Sequence, residues 1–321
     1  MKKFFITGGV GFVGSYVVRE LLRLGHDVLV FDSFIQYVEP EGYDPFASPY
    51  RRLKDVSNKI KIIRGNIANP NALRSALFNY KPEYVIHLAS MPLANMAIEA
   101  PEDAFTSITT GTGNLLQLLK DLDSLERFCY ISSSMVYGDF KTAAVTEEHS
   151  KEPKEVYGAL KYCSEIITET FSRLYGIDYT IVRPTAVYGP FDANKRVLST
   201  FLTRALQKKP IVVKGADVAL DFSYAKDTAA GIVLATLAPE ASGQVFNIAR
   251  GRARTLREAA DVIRQLIPDV VIDYQDADKM YPRRGTLDIS KARKLLKFEP
   301  KYDLEDGLKE YCAFLKGFYD R

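Results

Sequence analysis

Three Tyr-x-x-x-Lys pairs stand in the sequence: Tyr50/Lys54, Tyr137/Lys141 and Tyr157/Lys161. On a helix this spacing sets a phenol and an ammonium on one face, one turn apart. A phenol of pKa ~10 is a poor base at neutral pH, and a neighbouring cation favours its ionised form. Such a pair can take a proton from a substrate alcohol. Tyr50 falls in an irregular stretch, and Tyr137 precedes Gly138-Asp139, a loop pattern. Only Tyr157/Lys161 opens a long helical pattern, YGALKYCSEIITETFSRLYG. Ser133 stands 24 residues before Tyr157, at the end of a β-like run. Its hydroxyl is a candidate to hold the same substrate oxygen. Ser133, Tyr157 and Lys161 are the catalytic candidates.

An alcohol that loses a proton from oxygen and a hydride from carbon needs a hydride acceptor, and the N-terminus offers a place for one. Thr7-Gly8-Gly9-Val10-Gly11-Phe12-Val13-Gly14 follows a short apolar strand and opens an amphipathic helix. Bare backbone at such a turn lets a pyrophosphate reach amide N–H groups, and the helix N-terminus adds positive partial charge. The next strand, VLVFD, ends in Asp32, 18 residues beyond Gly14, with Ser33 after it. That is close to where an acid binds the ribose hydroxyls of a dinucleotide. An acid there repels a 2′-phosphate, so NAD is expected and not NADP. With NAD bound, Lys161 is also placed to hold the nicotinamide ribose.

The elements that must position these groups alternate. Runs at 4–7, 28–31, 60–63, 84–89, 128–133 and 179–184 are β-branched or aromatic, and several are almost continuously apolar. Strands buried on both faces read this way. Helical patterns lie between them at 13–24, 71–79, 101–121 and 157–175. The alternation predicts an α/β fold, a Rossmann doubly wound parallel sheet, over residues 1–190, with later segments returning to it. Residues 34–58, rich in Pro, Gly, Ser and Tyr, read as a long surface loop with room for a short helix. Beyond 190 the rhythm changes. Helices are expected at 197–208, 226–237, 255–266 and 304–318, with strands at 211–213, 244–248 and 270–273. Residues 191–321 thus form a smaller C-terminal α/β portion, expected to bind substrate.

Composition excludes several classes. Of 321 residues 47% are hydrophobic and the formal charge is only +3, with no long like-charge tract, so nucleic acid is not an expected partner. Cys129, Cys163 and Cys312 are odd in number and widely spaced, and the three histidines lack metal-ligand spacing. Reduced thiols and no metal site are expected. No apolar run reaches the ~20 residues that cross a bilayer, and the N-terminus lacks a signal-peptide pattern. The cytoplasm is the expected compartment, with no membrane partner.

Taken together, TGGVGFVG, Asp32, HLAS (87–90), SSSMVYG (132–138), YGALK (157–161) and RPTAVYGP (183–190) resemble the extended short-chain dehydrogenase/reductases. The likeness is greatest to the NAD-dependent nucleotide-sugar epimerases and dehydratases, and the C-terminal DISKARKLLKFEPKYDLEDGLKEY resembles them too. The resemblance implies that Asn66-Ile67 lie by the adenine, that Leu88, Ala89 and Ser90 line the cofactor cleft, and that Ser132 and Pro184 face the nicotinamide. It also implies a homodimer through helices 101–121 and 157–175. Three departures bear on the substrate: Ala186, Leu220 and Ile108 stand where the family commonly has Asn, Arg and Asn. Arg196, Arg283 or its neighbour Arg284, and Ser134 are candidate substrate contacts in their place. Ser134-Met135 also lacks the acid pair of the 4,6-dehydratases, which disfavours dehydration. The leading expectation is a C4 epimerase of nucleotide sugars working through a 4-keto intermediate. A dehydrogenase or 4-keto reductase on such sugars is the alternative. A cofactor-binding protein without catalysis is a third reading, and the intact Ser133/Tyr157/Lys161 trio argues against it.

Overall fold

A computed structural model of the chain describes residues 1–37, 49–277 and 282–319. Seven parallel strands form the central sheet: β1 (Lys3–Thr7), β2 (Asp27–Asp32), β3 (Lys61–Arg64), β4 (Tyr84–His87), β5 (Arg127–Ile131), β6 (Tyr179–Pro184) and β7 (Gln244–Ile248). Their spatial order is β7-β6-β5-β4-β1-β2-β3. The order reverses between β1 and β4, which is where doubly wound sheets open a ligand crevice at their carboxyl edge.

Strand alternation explains the continuous apolar runs. Phe4, Ile6, Val28, Val30 and Ile86 join one buried cluster, while Phe5, Leu29, Phe31 and Val85 join another on the opposite face. The first cluster is covered by α1 (Phe12–Arg23) and by a helix at Ala225–Leu237. The second is covered by α2 (Pro70–Tyr80) and α3 (Gly111–Leu119). The helix expected at 101–121 is three consecutive pieces: Pro101–Ala104, a π-helical stretch at Phe105–Thr110, and α3. The long helix that opens at Tyr157 is α4 (Val156–Tyr175).

Residues 244–248, read from the rhythm as part of the second portion, are the outermost strand of the main sheet. The rest of the C-terminal portion has its own core. There α5 (Val197–Leu206), α6 (Leu256–Leu266) and α7 (Leu304–Tyr319) surround the parallel strands Ile211–Lys214 and Ile272–Gln275. Of the 34–58 stretch, residues 38–48 lie outside the described residues; Pro49–Arg52 and Lys54–Lys59 are short helical turns. No helix among the described residues is long and apolar enough to cross a membrane, and none of their His, Cys, Asp or Glu side chains group as a metal site.

The glycine turn is tight on every side. Gly8 holds φ +72°, and a Cβ on it would lie 2.6 Å from the Ala89 backbone nitrogen. A Cβ on Gly14 would lie 2.2 Å from the Gly8 carbonyl oxygen, so α1 can approach β1 only without one. Gly113, in α3, has open space around its added Cβ. Gly14→Ala is therefore expected to lower unfolding free energy by about 3 kcal/mol in denaturant titration. Gly113→Ala is expected to be neutral or to raise it by up to about 1 kcal/mol.

Candidate active site

At the carboxyl edge of the sheet a single cleft of about 860 Å³ runs from the glycine turn to the C-terminal portion. The glycine turn (Gly8, Gly11, Phe12, Val13, Gly14), Asp32-Ser33 and Asn66-Ile67 line one half of it. Leu88, Ala89, Ser90, Ser132, Ser133, Ser134, Tyr157, Lys161, Pro184 and Arg196 line the remainder. Arg283 does not. It is exposed on the outer side, where its backbone N–H donates to Asp139 Oδ1 at 2.7 Å. The adjacent Arg284 lines the cleft instead. A one-residue register in an irregular segment decides which of the two points inward, and spacing in the sequence carries no signal for it.

Each catalytic candidate sits where a strand or helix begins or ends. Ser133 lies just past β5 in extended backbone and caps a short 3-10 turn, Ser134–Tyr137, its Oγ accepting from the Met135 N–H at 3.2 Å. Tyr157 opens α4, whose cap is Glu155 accepting from the Gly158 N–H at 3.0 Å. One turn further, Lys161 is buried at 3% exposure. Its Nζ donates to the Ile131 carbonyl at 2.9 Å and lies 5.7 Å from the Tyr157 ring centre.

Burial sets the electrostatics. It pulls the Lys161 ammonium down to about 7, against the opposing pull of Glu165. It pushes the Tyr157 phenol up to about 12; the Arg196 cation and the Ser133 hydroxyl favour the phenolate, and Glu155 opposes it. Spacing alone suggests that the lysine drives the phenol toward neutrality. Arg196 is the largest charge favouring the phenolate, and burial weakens the ammonium form of the lysine beside it. Arg196 is held by Asp192 Oδ1 at 2.5 Å and lies 5.6 Å from the Phe12 ring centre, bridging the two halves of the cleft.

The chain's own groups fit a dinucleotide. Three α-helices carry a side-chain cap: α2 from Asn69, α4 from Glu155, and α6 from a full capping box between Thr255 and Glu258. The α1 N-terminus has no side-chain cap and no acid in its first turn, leaving its N–H groups to a ligand phosphate. Asp32 ends β2 with one oxygen accepting from the Val10 N–H at 3.0 Å and the other from the Phe34 N–H at 2.8 Å. A carboxylate offers about four acceptor positions, so ribose hydroxyls can still bind. Deeper in, the Ser132 hydroxyl is buried with no partner among the described residues, as expected of a group kept for a ligand. Sequence reasoning missed Arg52, which lies in the irregular insertion and reaches the Val10 carbonyl at 3.4 Å from its Nη1. It also missed Tyr37, Lys214 and Phe222, all of which line the cleft. Asp32→Ala is expected to weaken NAD binding by tenfold or more in isothermal titration and to narrow the preference over NADP. An unchanged ratio of the two affinities would remove Asp32 from the ribose site.

The sequence model of the NAD dependent epimerase/dehydratase family matches residues 4–249. The chain is 31% identical to the UDP-glucuronate 4-epimerase of Thermodesulfobacterium geofontis, over 98% of this chain and 97% of that protein. It is 29% identical to a putative UDP-glucose 4-epimerase of Methanocaldococcus jannaschii, over 97% of each. Among solved structures, it is similar to UDP-glucuronic acid 4-epimerase from Bacillus cereus in complex with UDP-glucuronic acid and NAD. That match has TM-score 0.89 and 26% identity, and covers 99% of this chain and 100% of the other. UDP-glucose 4-epimerase from Thermotoga maritima with UDP-glucose gives TM-score 0.89 at 26% identity, over 99% of each. The family model covers most of the chain, and a relative above 30% identity covers nearly all of it: the chain belongs to the NAD dependent epimerase/dehydratase family.

Proposed function

We propose that this protein is a C4 epimerase of nucleotide sugars, working with bound NAD. The observation that carries the reading is the convergence of Ser133, Tyr157 and Lys161 at the junction of the two cleft halves. Oxidised NAD, when bound, supplies a reversible acceptor for the hydrogen at C4. The Tyr157 hydroxyl, as phenolate, accepts the 4-hydroxyl proton and later returns it. Ser133 holds the same oxygen as it becomes a carbonyl, and Lys161 steadies the ribose and the phenolate.

The substrate half supports an anionic ligand. Lys214, Arg196 and Arg284 line it, and Met91, Leu220 and Phe222 supply apolar wall. Arg284 has a single hydrogen bond among the described residues, a long contact of 3.7 Å to Met135 Sδ. Burial pulls it down to about 10, so it stays charged at neutral pH. Arg284 and Arg196 are the diphosphate donors in this reading, with Ser134 beside the sugar. Ala186 holds φ +40°, a conformation in which the family's asparagine is more at ease. Its substitution removes a donor as well.

Assembly as a homodimer in the cytoplasm belongs to the same proposal. Phe105, Ile166, Leu174 and Tyr175 are exposed apolar side chains on the two helical stretches expected to pair.

The test is incubation with UDP-, dTDP-, GDP- and CDP-sugars, followed by chromatographic separation of the 4-epimers. Interconversion of at least one pair without net NADH is expected. Net NADH formation or consumption would instead mark a dehydrogenase or a 4-keto reductase. Tyr157→Phe is expected to lower kcat by about 10³-fold with cofactor retained. Arg284→Ala is expected to raise KM by tenfold or more, and Arg283→Ala to leave it within twofold.

A further inference from the structure

Behind Lys161 lies a buried polar network that the proton chemistry itself does not use. Glu165, one turn beyond Lys161 on α4, meets Arg183 of β6 in a two-pronged pair: Nε to Oε1 at 2.9 Å and Nη2 to Oε2 at 2.6 Å. Both side chains are almost wholly buried, at 1% and 3% exposure. The remaining Arg183 nitrogen, Nη1, donates to the Tyr137 hydroxyl at 2.9 Å and to the Glu147 carbonyl at 3.1 Å. Tyr137 closes the 3-10 turn that Ser133 caps, and its hydroxyl donates to Asn247 Oδ1 of β7 at 2.7 Å. Asn247 in turn donates through its backbone N–H to Glu147 Oε1 at 2.8 Å.

We propose that the buried Glu165–Arg183 pair is a positioning device for the active site, bracing the Lys161-bearing turn of α4 against the Ser133 turn and presenting a carboxylate to the Lys161 amine. A buried ion pair adds little to stability by itself, and apolar residues of similar volume often replace one at no loss. Its place beside the catalytic trio is then explained by geometry and field. Lys161 faces Tyr157 and Glu165 on its own helix, and from neighbouring strands the Tyr130 ring at 5.3 Å and the His87 imidazole. Burial and the Lys161 charge hold His87 down at about 3, so it stays neutral; it contacts Thr7 at 2.6 Å and Thr112 at 3.0 Å. Glu165 is the group that favours the charged amine against its burial. The inference rests on Lys161 and Tyr157 being the reacting pair of the proposed epimerase.

The experiment is a pH titration of the protein labelled with 13C at lysine Cε, followed by NMR, with the Lys161 signal assigned by its loss in Lys161→Met. In the wild type that signal is expected to titrate near neutrality. In Glu165→Gln, which keeps the shape and removes the charge, the midpoint is expected to fall by about one pH unit or more. Should that variant not fold, Glu165→Leu/Arg183→Met leaves no unpaired charge in the core and is expected to fold, with a smaller downward shift because the Arg183 cation leaves with the carboxylate. Tyr137→Phe tests the other arm: kcat is expected to fall at least tenfold with KM within twofold. A Lys161 midpoint unchanged in either folded Glu165 variant overturns the proposal, as does wild-type kcat in Tyr137→Phe. The titration is read without substrate. A wild type inactive on every nucleotide sugar but showing the shift therefore sinks the functional reading and leaves the positioning role standing.

Discussion

Desolvation works against both groups on which the site depends. An amine and a phenol placed in a half-enclosed cleft each lose their charged form: the Lys161 amine is drawn down to about 7 and the Tyr157 phenol pushed up to about 12. In the proposed reaction a sugar hydroxyl can give its proton to the phenolate only if fixed charge offsets that burial. The chain supplies some of it, from Arg196 across the cleft and from Glu165 behind the lysine. A cationic oxidised pyridine ring supplies more when NAD is bound. In the proposed reaction the phenolate form is thus favoured most when the cofactor is in place and oxidised, which ties proton transfer to the hydrogen acceptor.

The fold makes this possible by bringing element ends together. In a parallel sheet all carboxyl ends lie on one edge, so β1, β2, β4, β5 and β6 deliver the glycine turn, Asp32, the 88–90 segment, Ser132-Ser133 and Pro184 to one cleft. At the glycine turn no side chain caps α1 and its first turn holds no acid, so the first N–H groups face the cleft. Likewise Gly8 packs so closely on the Leu88-Ala89 backbone, and Gly14 on Gly8, that the turn admits no Cβ at either position.

Much of this was legible in the residues. Strand positions followed from apolar runs, because both faces of the sheet are buried, and the glycine turn and α4 from motifs whose physics is local. What remained hidden was long-range. Gln244–Ile248 reads as a strand, but only pairing with β6 shows to which sheet it belongs. The π-helical stretch at Phe105–Thr110 leaves no mark in a 3.6-residue period. Arg283 and Arg284 differ by one position in a segment without periodicity, and only the fold turns one inward. Nothing in the spacing of Glu165 and Arg183, 18 positions apart on a helix and a strand, signals that they pair.

The most direct measurement is the fate of deuterium placed at C4 of an interconverted nucleotide sugar, read by mass spectrometry and NMR. A site that removes and returns hydrogen within one closed cleft predicts that the 4-epimer forms with deuterium still at C4 and no labelled NADH in solution. Deuterium lost to water, or released in free NADH, would contradict it.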